Sequence, residues 1–275
     1  MTIVARRRIY WSLFLAACAC FVAFFPLFIH LARGNKAPAF LAKADALDSF
    51  RLGALSLPSP LLAATGIGLC ALFAALCLGF ILYSFRKTVS TEIFFYSFWA
   101  LSVGLELSRL VVFSVAAEGG SAYWQILTTK VLLCSRYVGY LSLFASGLYA
   151  AGFRNEKLGT VAAIILAISL GLATVVPVDT GSFAPTLELK AGYGELAGGM
   201  AILVALATVA NFLYAAQLSG EASYRLVALG AAVFLAGHRL LVTQWNPFAI
   251  VLGFAMLVAG SWLFVSRLHT YYLWQ

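Results

Sequence analysis

Leu61–Phe85 reads LLAATGIGLCALFAALCLGFILYSF, a run of 25 residues without a charged side chain. A transmembrane helix needs about 20 consecutive apolar residues to cross about 30 Å of hydrocarbon, whereas a membrane-barrel strand needs about 9–11 residues of alternating polarity. The run is too long and too uniformly apolar for such a strand. Because a segment in lipid must satisfy its own backbone hydrogen bonds, the run predicts a transmembrane helix.

The composition extends this prediction to the whole chain. The 275 residues are 63% hydrophobic and only 10% charged, with a mean hydropathy of +0.96. Soluble domains are about 45–50% apolar and about 25% charged, and disordered chains combine low hydrophobicity with high charge. A water-soluble globular enzyme and a disordered chain are therefore both excluded, and lipid is the expected solvent.

Eight segments of spanning length follow one another, and we expect an all-α polytopic bundle that forms one integral membrane domain over residues 1–275. The connection at residues 33–60 is expected to hold a short amphipathic helix on the outer surface, and Pro177–Gly192 is expected to be an outer lid or loop. The predicted spans are residues 9–32, 61–85, 92–117, 123–153, 159–176, 193–218, 224–244 and 247–266.

The distribution of lysines and arginines predicts the orientation, because short cytoplasmic loops are enriched in both. With the N-terminus inside, nine basic residues lie on the inner side and five on the outer side, four of these five in the one long outer loop. Both termini are therefore placed in the cytoplasm, and a bacterial cytoplasmic (inner) membrane is the expected location. The inner set is Arg6, Arg7, Arg8, Arg86, Lys87, Arg154, Lys157, Arg225 and Arg267, and the outer set is Arg33, Lys36, Lys43, Arg51 and Lys190.

A weak internal similarity relates the two halves of the chain. Tyr83 precedes Arg109 by 26 residues and Tyr214 precedes Arg239 by 25, with similar residues around each arginine. Helices one to four and five to eight would then form a parallel 4+4 repeat. Chance similarity in a chain this rich in Leu, Ala and Val is the competing explanation.

Ionisable side chains inside the spans are the positions most informative about function, since charges there are unfavourable in lipid and face the bundle interior. At about 1.5 Å per residue, Arg109, Lys130 and Arg239 lie at one depth, about 10–12 Å below the outer surface. The full set is Glu106, Arg109, Lys130, Arg136, His238 and Arg239, with Glu195 at the rim near the outer start of the sixth span.

The spacing of these groups predicts which of them pair. Glu106 and Arg109 are three residues apart and share a helix face, whereas Lys130 and Arg136 are six apart and do not. Four cations thus meet one carboxylate inside the spans. This imbalance predicts an outward-facing cationic pocket for a small anionic or polar ligand, either a carboxylate or phosphate solute or a lipid headgroup. The alternative is a set of ion pairs and interface-seeking side chains that only fixes helix packing.

Recognition of such a ligand, with or without transport, is the leading functional hypothesis. The alternative is a sensor or scaffold module that signals through a separate membrane partner, because no cytoplasmic output domain is evident in the sequence. A membrane-embedded lipid-modifying enzyme is less favoured, since HExxH and GxSxG motifs and paired carboxylates within a span are absent.

Neither a cofactor nor a metal nor a nucleic acid is an expected partner. The cysteines stand in apolar runs without His or carboxylate at zinc-ligand spacing, and the longest basic stretch is Arg6–Arg8. His238 is expected to be a packing histidine bonded to a neighbouring helix. Glycines in the spans are expected to allow close helix contacts, namely Gly66, Gly68, Gly194, Gly198 and Gly199.

Overall fold

The computed structural model describes residues 3–33, 50–52, 55–57, 59–85, 90–153, 157–184, 186–220, 222–243 and 246–273. These ranges are mostly helical, and they contain eight helical segments long and apolar enough to cross a membrane. The prediction of a multi-pass, all-α membrane protein with eight spans is confirmed to this extent.

The described part of the chain forms nine helices and two antiparallel hairpins. One span is divided, because a 3-10 turn at Leu105–Leu107 joins α3 to α4. The helices are α1 (Ile3–Arg33), α2 (Ser59–Ser84), α3 (Thr91–Gly104), α4 (Ser108–Ala117), α5 (Ala122–Ala150), α6 (Leu158–Val175), α7 (Gly194–Ser219), α8 (Ala222–Thr243) and α9 (Pro247–Leu273). The hairpins pair β1 (Phe50–Leu52) with β2 (Leu55–Leu57) and β3 (Val178–Ala184) with β4 (Glu188–Ala191).

Three predicted span ends differ from the structure by three residues or more. Helix α1 begins at Ile3 instead of residue 9, and α9 continues to Leu273 instead of ending at residue 266. The last turns of α9 stay helical because they still pack on the bundle, with Leu268 fully buried. Helix α5 ends at Ala150 instead of residue 153, because Gly152 has a φ of +95°, a conformation that ends helices and that glycine adopts without strain.

The amphipathic helix predicted for residues 33–60 falls mainly on residues 34–49, which lie outside the described residues. The described remainder contradicts a helix at Phe50–Leu52, which is strand β1 and pairs with β2. A two-stranded ribbon needs only local pairing, and a helix this short has little stability without packing.

The hairpin β3–β4 occupies the connection predicted as a lid or loop. Its tip packs into the end of the bundle, since Leu187 and Leu189 are almost fully buried. Phe183 adds an edge-to-face contact with Phe113 of α4, with ring centroids 6.3 Å apart. This connection is therefore an ordered part of the bundle end and holds its residues at fixed positions.

The core of the bundle is built around α3. Tyr96 and Trp99 of this helix are buried against aromatic rings from α8 and α9. The shortest of these contacts joins Trp99 and Phe234, with ring centroids 4.3 Å apart. Since lipid is as apolar as these side chains, their close packing and not their transfer from water is what stabilises the bundle.

A buried carboxylate joins three spans at the end of the bundle where α3 begins. Glu92 accepts hydrogen bonds from the Tyr272 hydroxyl at 2.7 and 2.9 Å and from Ser90 at 3.0 Å. The Tyr224 hydroxyl lies 3.4 Å from the same carboxylate. These bonds connect the start of α3 to the start of α8 and the end of α9.

Helices α8 and α9 make the closest backbone contact. Gly230 faces Gly260, and Gly237 faces Gly253, so the two glycine pairs are seven residues apart on each helix. A Cβ added at Gly237 would lie 2.6 Å from the Leu257 backbone nitrogen, which leaves no room for a side chain. Small residues in this arrangement allow membrane helices to associate through dense packing.

The glycines predicted at close contacts divide into two groups. Gly66 and Gly68 confirm the prediction, because an added Cβ would come within 2.9 and 2.4 Å of neighbouring atoms. The prediction is wrong for the first two turns of α7, where an added Cβ meets nothing closer than 3.9 Å. No neighbouring helix packs tightly there because this part of α7 borders a cavity. The glycines concerned are Gly194, Gly198 and Gly199.

Candidate functional site

The third span is interrupted near its middle, and the interruption carries a charge. Leu105–Leu107 forms a 3-10 turn within the membrane-length segment, a feature that often marks a functional position. Glu106 lies in this turn and Arg109 lies one turn later, 1% and 3% exposed. Arg109 Nε is 2.6 Å from Glu106 Oε2, so the pair predicted from the spacing of three residues is present.

Arg136 of α5 binds the same carboxylate from a second helix. Its Nε donates to Glu106 Oε1 at 2.9 Å, and its Nη2 donates to Glu106 Oε2 at 3.1 Å. Two parallel bonds between a guanidinium and a carboxylate are among the strongest polar contacts in proteins. One buried carboxylate is therefore shared by two arginines.

A second carboxylate, from β4, balances the charge. Arg136 Nη2 donates to Glu188 Oε2 at 2.6 Å, and Arg109 Nε lies 3.6 Å from the same oxygen. The Thr186 hydroxyl donates to Glu188 Oε1 at 3.0 Å. Two arginines and two glutamates thus form a neutral group, here called the ion cluster (Glu106, Arg109, Arg136 and Glu188).

Sequence reasoning did not single out Glu188, because a residue in a connecting segment has no predictable depth. The one available signal was the alternation of Leu187, Glu188 and Leu189, which is typical of a strand with one buried face. Burial acts to raise the pKa of Glu188, but the Arg109 and Arg136 guanidiniums outweigh it and hold that pKa below its ordinary value of 4.5. The carboxylate is therefore charged at neutral pH.

Arg109 also bonds to two backbone carbonyls. Its Nη1 donates to the carbonyl oxygen of Val242 in α8 at 3.2 Å and to that of Thr186 at 3.4 Å. These contacts join the third span, the seventh span and the hairpin β3–β4. The charge of the guanidinium is already balanced by the ion pair with Glu106, so Arg109 is not the primary charge available to a ligand.

A cavity of about 800 Å³ adjoins the ion cluster, a size typical of small-molecule sites. Helices α5, α6, α7 and α8 and the hairpin β3–β4 enclose it. Leaving His238 aside, the lining has one more cation than it has carboxylates. The cations are Arg109, Arg136, Lys190 and Arg239, and the carboxylates are Glu106, Glu188 and Glu195.

Arg239 of α8 carries a positive charge that has no partner among the described residues. Its guanidinium makes no hydrogen bond or ion pair with any residue that the structure describes. It faces α7 across the cavity, where a Cβ added at Gly198 would lie 3.9 Å from Arg239 Nη2. The side chain is exposed, and its removal would break no hydrogen bond or ion pair among the described residues.

His238, the neighbour of Arg239, also borders the cavity. It is 8% exposed, and its Nε2 finds no hydrogen-bond partner within the described ranges. The ring packs edge-on against Trp99, with centroids 6.0 Å apart, so packing is present but the expected bond to a neighbouring helix is missing at Nε2. Leaving a buried polar atom unpaired costs about 1–3 kcal/mol, and a ligand atom at this position would remove that penalty.

Lys130, unlike the other predicted site residues, does not line the cavity. Its Nζ donates to the carbonyl oxygens of Thr174, at 3.1 Å, and Val176, at the end of α6. A cation at a helix C-terminus satisfies free carbonyls and complements the helix dipole. The structure therefore gives Lys130 a capping role and places it outside the cavity lining.

The structure thus brings five of the six predicted site residues to one cavity, namely Glu106, Arg109, Arg136, His238 and Arg239. Glu195, predicted at the rim, lines the same cavity from the first turn of α7 and is exposed. Sequence reasoning missed Glu188, Thr186 and Lys190, all from the hairpin β3–β4.

Within the described ranges, no three His, Cys, Asp or Glu side chains come together in a way that could hold a metal ion. Comparisons of the chain with protein-family models, with curated proteins and with solved structures find no match. Any assignment of function therefore depends on the geometry of the site.

Proposed function

We propose that this multi-pass membrane protein binds a small anionic or polar ligand in the cavity beside the ion cluster, with Arg239 as the principal charge partner. The observation that carries this proposal is the Arg239 guanidinium, which no described residue pairs with, on the wall of a cavity of about 800 Å³. A planar guanidinium donates two parallel hydrogen bonds to a carboxylate or phosphate. The adjacent His238 Nε2 supplies a further polar atom that lacks a partner.

The ion cluster has a supporting part in this proposal. Glu106 and Glu188 already balance the Arg109 and Arg136 guanidiniums, so the cluster presents no net charge to a ligand. It fixes the third span, α5 and the hairpin around the cavity. The attraction for an anion then comes from Arg239, and the apolar walls strengthen it by excluding water.

We further propose that the cavity opens toward the outer side and that both termini face the cytoplasm, in a bacterial inner membrane. The excess of lysines and arginines in the short loops on the N-terminal side supports this orientation. The cavity lies at the opposite end of the bundle, next to the hairpin β3–β4. The parallel 4+4 repeat stays a prediction.

Ligand-induced stabilisation tests the proposed function. The full chain, purified in a neutral maltoside detergent, is heated alone and with inorganic phosphate, glycerol 1-phosphate or short-chain dioctanoyl phosphatidylglycerol. A ligand that binds only the folded state raises the melting temperature with concentration. At least one of these anions is expected to stabilise the wild-type chain and to lose most of that effect in Arg239→Gln.

Arg225→Gln is the matched control, since Arg225 is an exposed arginine at the other end of the same helix. The anion should raise the melting temperature of Arg225→Gln as much as that of the wild-type chain. Equal stabilisation of the wild-type chain and Arg239→Gln by every anion in the panel, or none at all, would overturn the proposed function.

A sensing role is the second candidate, and the position of Glu188 favours it. This carboxylate sits on Arg136 where the carboxylate or phosphate of a ligand could also bind, and the hairpin β3–β4 carries it. A ligand that displaces Glu188 would loosen the hairpin and so alter a surface available to a separate membrane partner. Hydrogen exchange in residues 178–191 should then increase when the anion binds. Unchanged or slower exchange would contradict displacement.

A further inference from the structure

Helices α6 and α7 stand apart from each other although both pack on α5. The two helices are consecutive spans, joined by the hairpin β3–β4, yet they make hardly any contact. The fully buried residues of α7 begin only at Thr208, so its first half is only partly covered by the described part of the bundle. Leu172 of α6 and Met200 of α7 both line the cavity. The space between the two helices is therefore part of the cavity itself.

The cavity walls divide by polarity. All the side chains that α6 contributes are aliphatic, and most of those from α7 are apolar as well. The charged groups come from the third span, α5, α8 and the hairpin, with Glu195 alone from α7. The aliphatic wall consists of Leu172 and Val175 of α6, Val176 directly after it, and Leu196, Met200 and Val204 of α7.

A free phosphate or carboxylate ion does not match this arrangement. Such an ion fills only a small part of about 800 Å³ and leaves the aliphatic wall without a contact. Sites of this size commonly hold ligands that bury most of their own surface against apolar side chains, with a few polar groups fixing the orientation. The uneven walls match a molecule with an acyl chain on one side and one negative charge on the other.

From these features we infer that the ligand is a membrane amphiphile with a singly charged anionic headgroup, such as an anionic phospholipid, which enters from the bilayer between α6 and α7. The headgroup binds Arg239, and an acyl chain lies along the aliphatic wall. One excess cation in the lining matches one headgroup charge. This inference rests on the proposed function and adds the class of ligand and its route of entry.

Two comparisons in detergent solution test the inference. In the first, the affinity for dioctanoyl phosphatidylglycerol is measured by native mass spectrometry and compared with that for glycerol 1-phosphate and for zwitterionic dioctanoyl phosphatidylcholine. Phosphatidylglycerol should bind at least about tenfold more tightly than either, since it alone has both the charge and the chain.

In the second comparison, Met200→Trp places a large side chain in the cavity beside the aliphatic wall. Leu203→Trp places the same side chain on α7 outside the cavity lining. Both positions are more than half exposed, at 55% and 61%, so neither substitution crowds the core. Met200→Trp should weaken phosphatidylglycerol binding about tenfold or more, and Leu203→Trp should leave it unchanged. Arg239→Gln should weaken it similarly, with Arg225→Gln as its control.

The results separate this inference from the proposed function. Glycerol 1-phosphate and phosphatidylglycerol could bind with equal affinity and both lose binding in Arg239→Gln. That result would support the anion site and contradict the inference that the ligand is an amphiphile. Unchanged phosphatidylglycerol binding in Met200→Trp would also overturn it. If Arg239→Gln binds every anion as tightly as the wild-type chain does, the proposed function and the inference are both overturned.

Discussion

Arg136 and Glu106 are joined by two parallel hydrogen bonds, 2.9 Å from Nε to Oε1 and 3.1 Å from Nη2 to Oε2. These bonds connect α5 to the 3-10 turn that interrupts the third span. Glu106 is 1% exposed, so water cannot replace it as a partner for the two arginines that it binds. The carboxylate is therefore the central element of the ion cluster.

The first prediction concerns the charge of Glu106. Glu106→Gln leaves Arg109 and Arg136 with the single carboxylate of Glu188, and an uncompensated buried charge typically costs about 3–5 kcal/mol. The free energy of unfolding in detergent should fall by that order. Glu118→Gln is the control, since Glu118 lies at the end of the same span and its side chain is 67% exposed. Equal losses in the two variants would contradict a central role for Glu106.

A pH dependence follows from Glu188. Its pKa in the folded protein lies below the ordinary value of 4.5, so the bonds to Arg109 and Arg136 stabilise the hairpin fully above about pH 4.5. This contribution is lost as the pH falls further, through the pKa of the folded state. The melting temperature of the wild-type chain should exceed that of Glu188→Gln at neutral pH, and the difference should shrink on acidification below pH 4.5. A difference independent of pH would refute this assignment.

Substitution of Lys130 distinguishes a role in capping α6 from a role in binding the ligand. Because its ammonium bonds to carbonyls at the end of α6, Lys130→Gln should lower stability by about 0.3–1 kcal/mol. Anion affinity should not change, whereas Arg239→Gln should lower affinity at nearly unchanged stability. Calorimetric unfolding together with a binding titration measures both quantities. Loss of affinity in Lys130→Gln would place Lys130 in the site, as its depth in the sequence had predicted.

The last prediction concerns the contact between α8 and α9. In Gly237→Ala the new methyl group would meet the Leu257 nitrogen at 2.6 Å, so the helices must separate, at a cost of about 1–3 kcal/mol. Gly199→Ala makes the same change where nothing lies within 4 Å, and alanine favours helix by up to about 1 kcal/mol. Urea unfolding in detergent should show a loss for the first variant and none for the second. The opposite order would exclude tight packing at Gly237.

Part of the site was predictable because it depends on distances along one helix. The spacing of Glu106 and Arg109 implied their pairing, and the positions of Arg136, His238 and Arg239 inside apolar segments implied that they face the interior. Depth alone did not predict which residues Lys130 contacts, since residues at equal depth can face different neighbours. The prediction of close helix contacts at the glycines of α7 was wrong for a similar reason, because a glycine lines a cavity as readily as it allows a close helix contact.

The amino-acid sequence by itself determined the solvent and the membrane-length helices. Apolar runs of spanning length have one stable form in lipid, a helix whose backbone bonds are internal, and eight such runs specify a multi-pass bundle. Only the tertiary structure decided which charges are balanced and which is not. Glu188 reaches the ion cluster from a hairpin far along the chain, and no described residue pairs with Arg239. Both outcomes depend on how separate helices pack, which no spacing within one helix can determine.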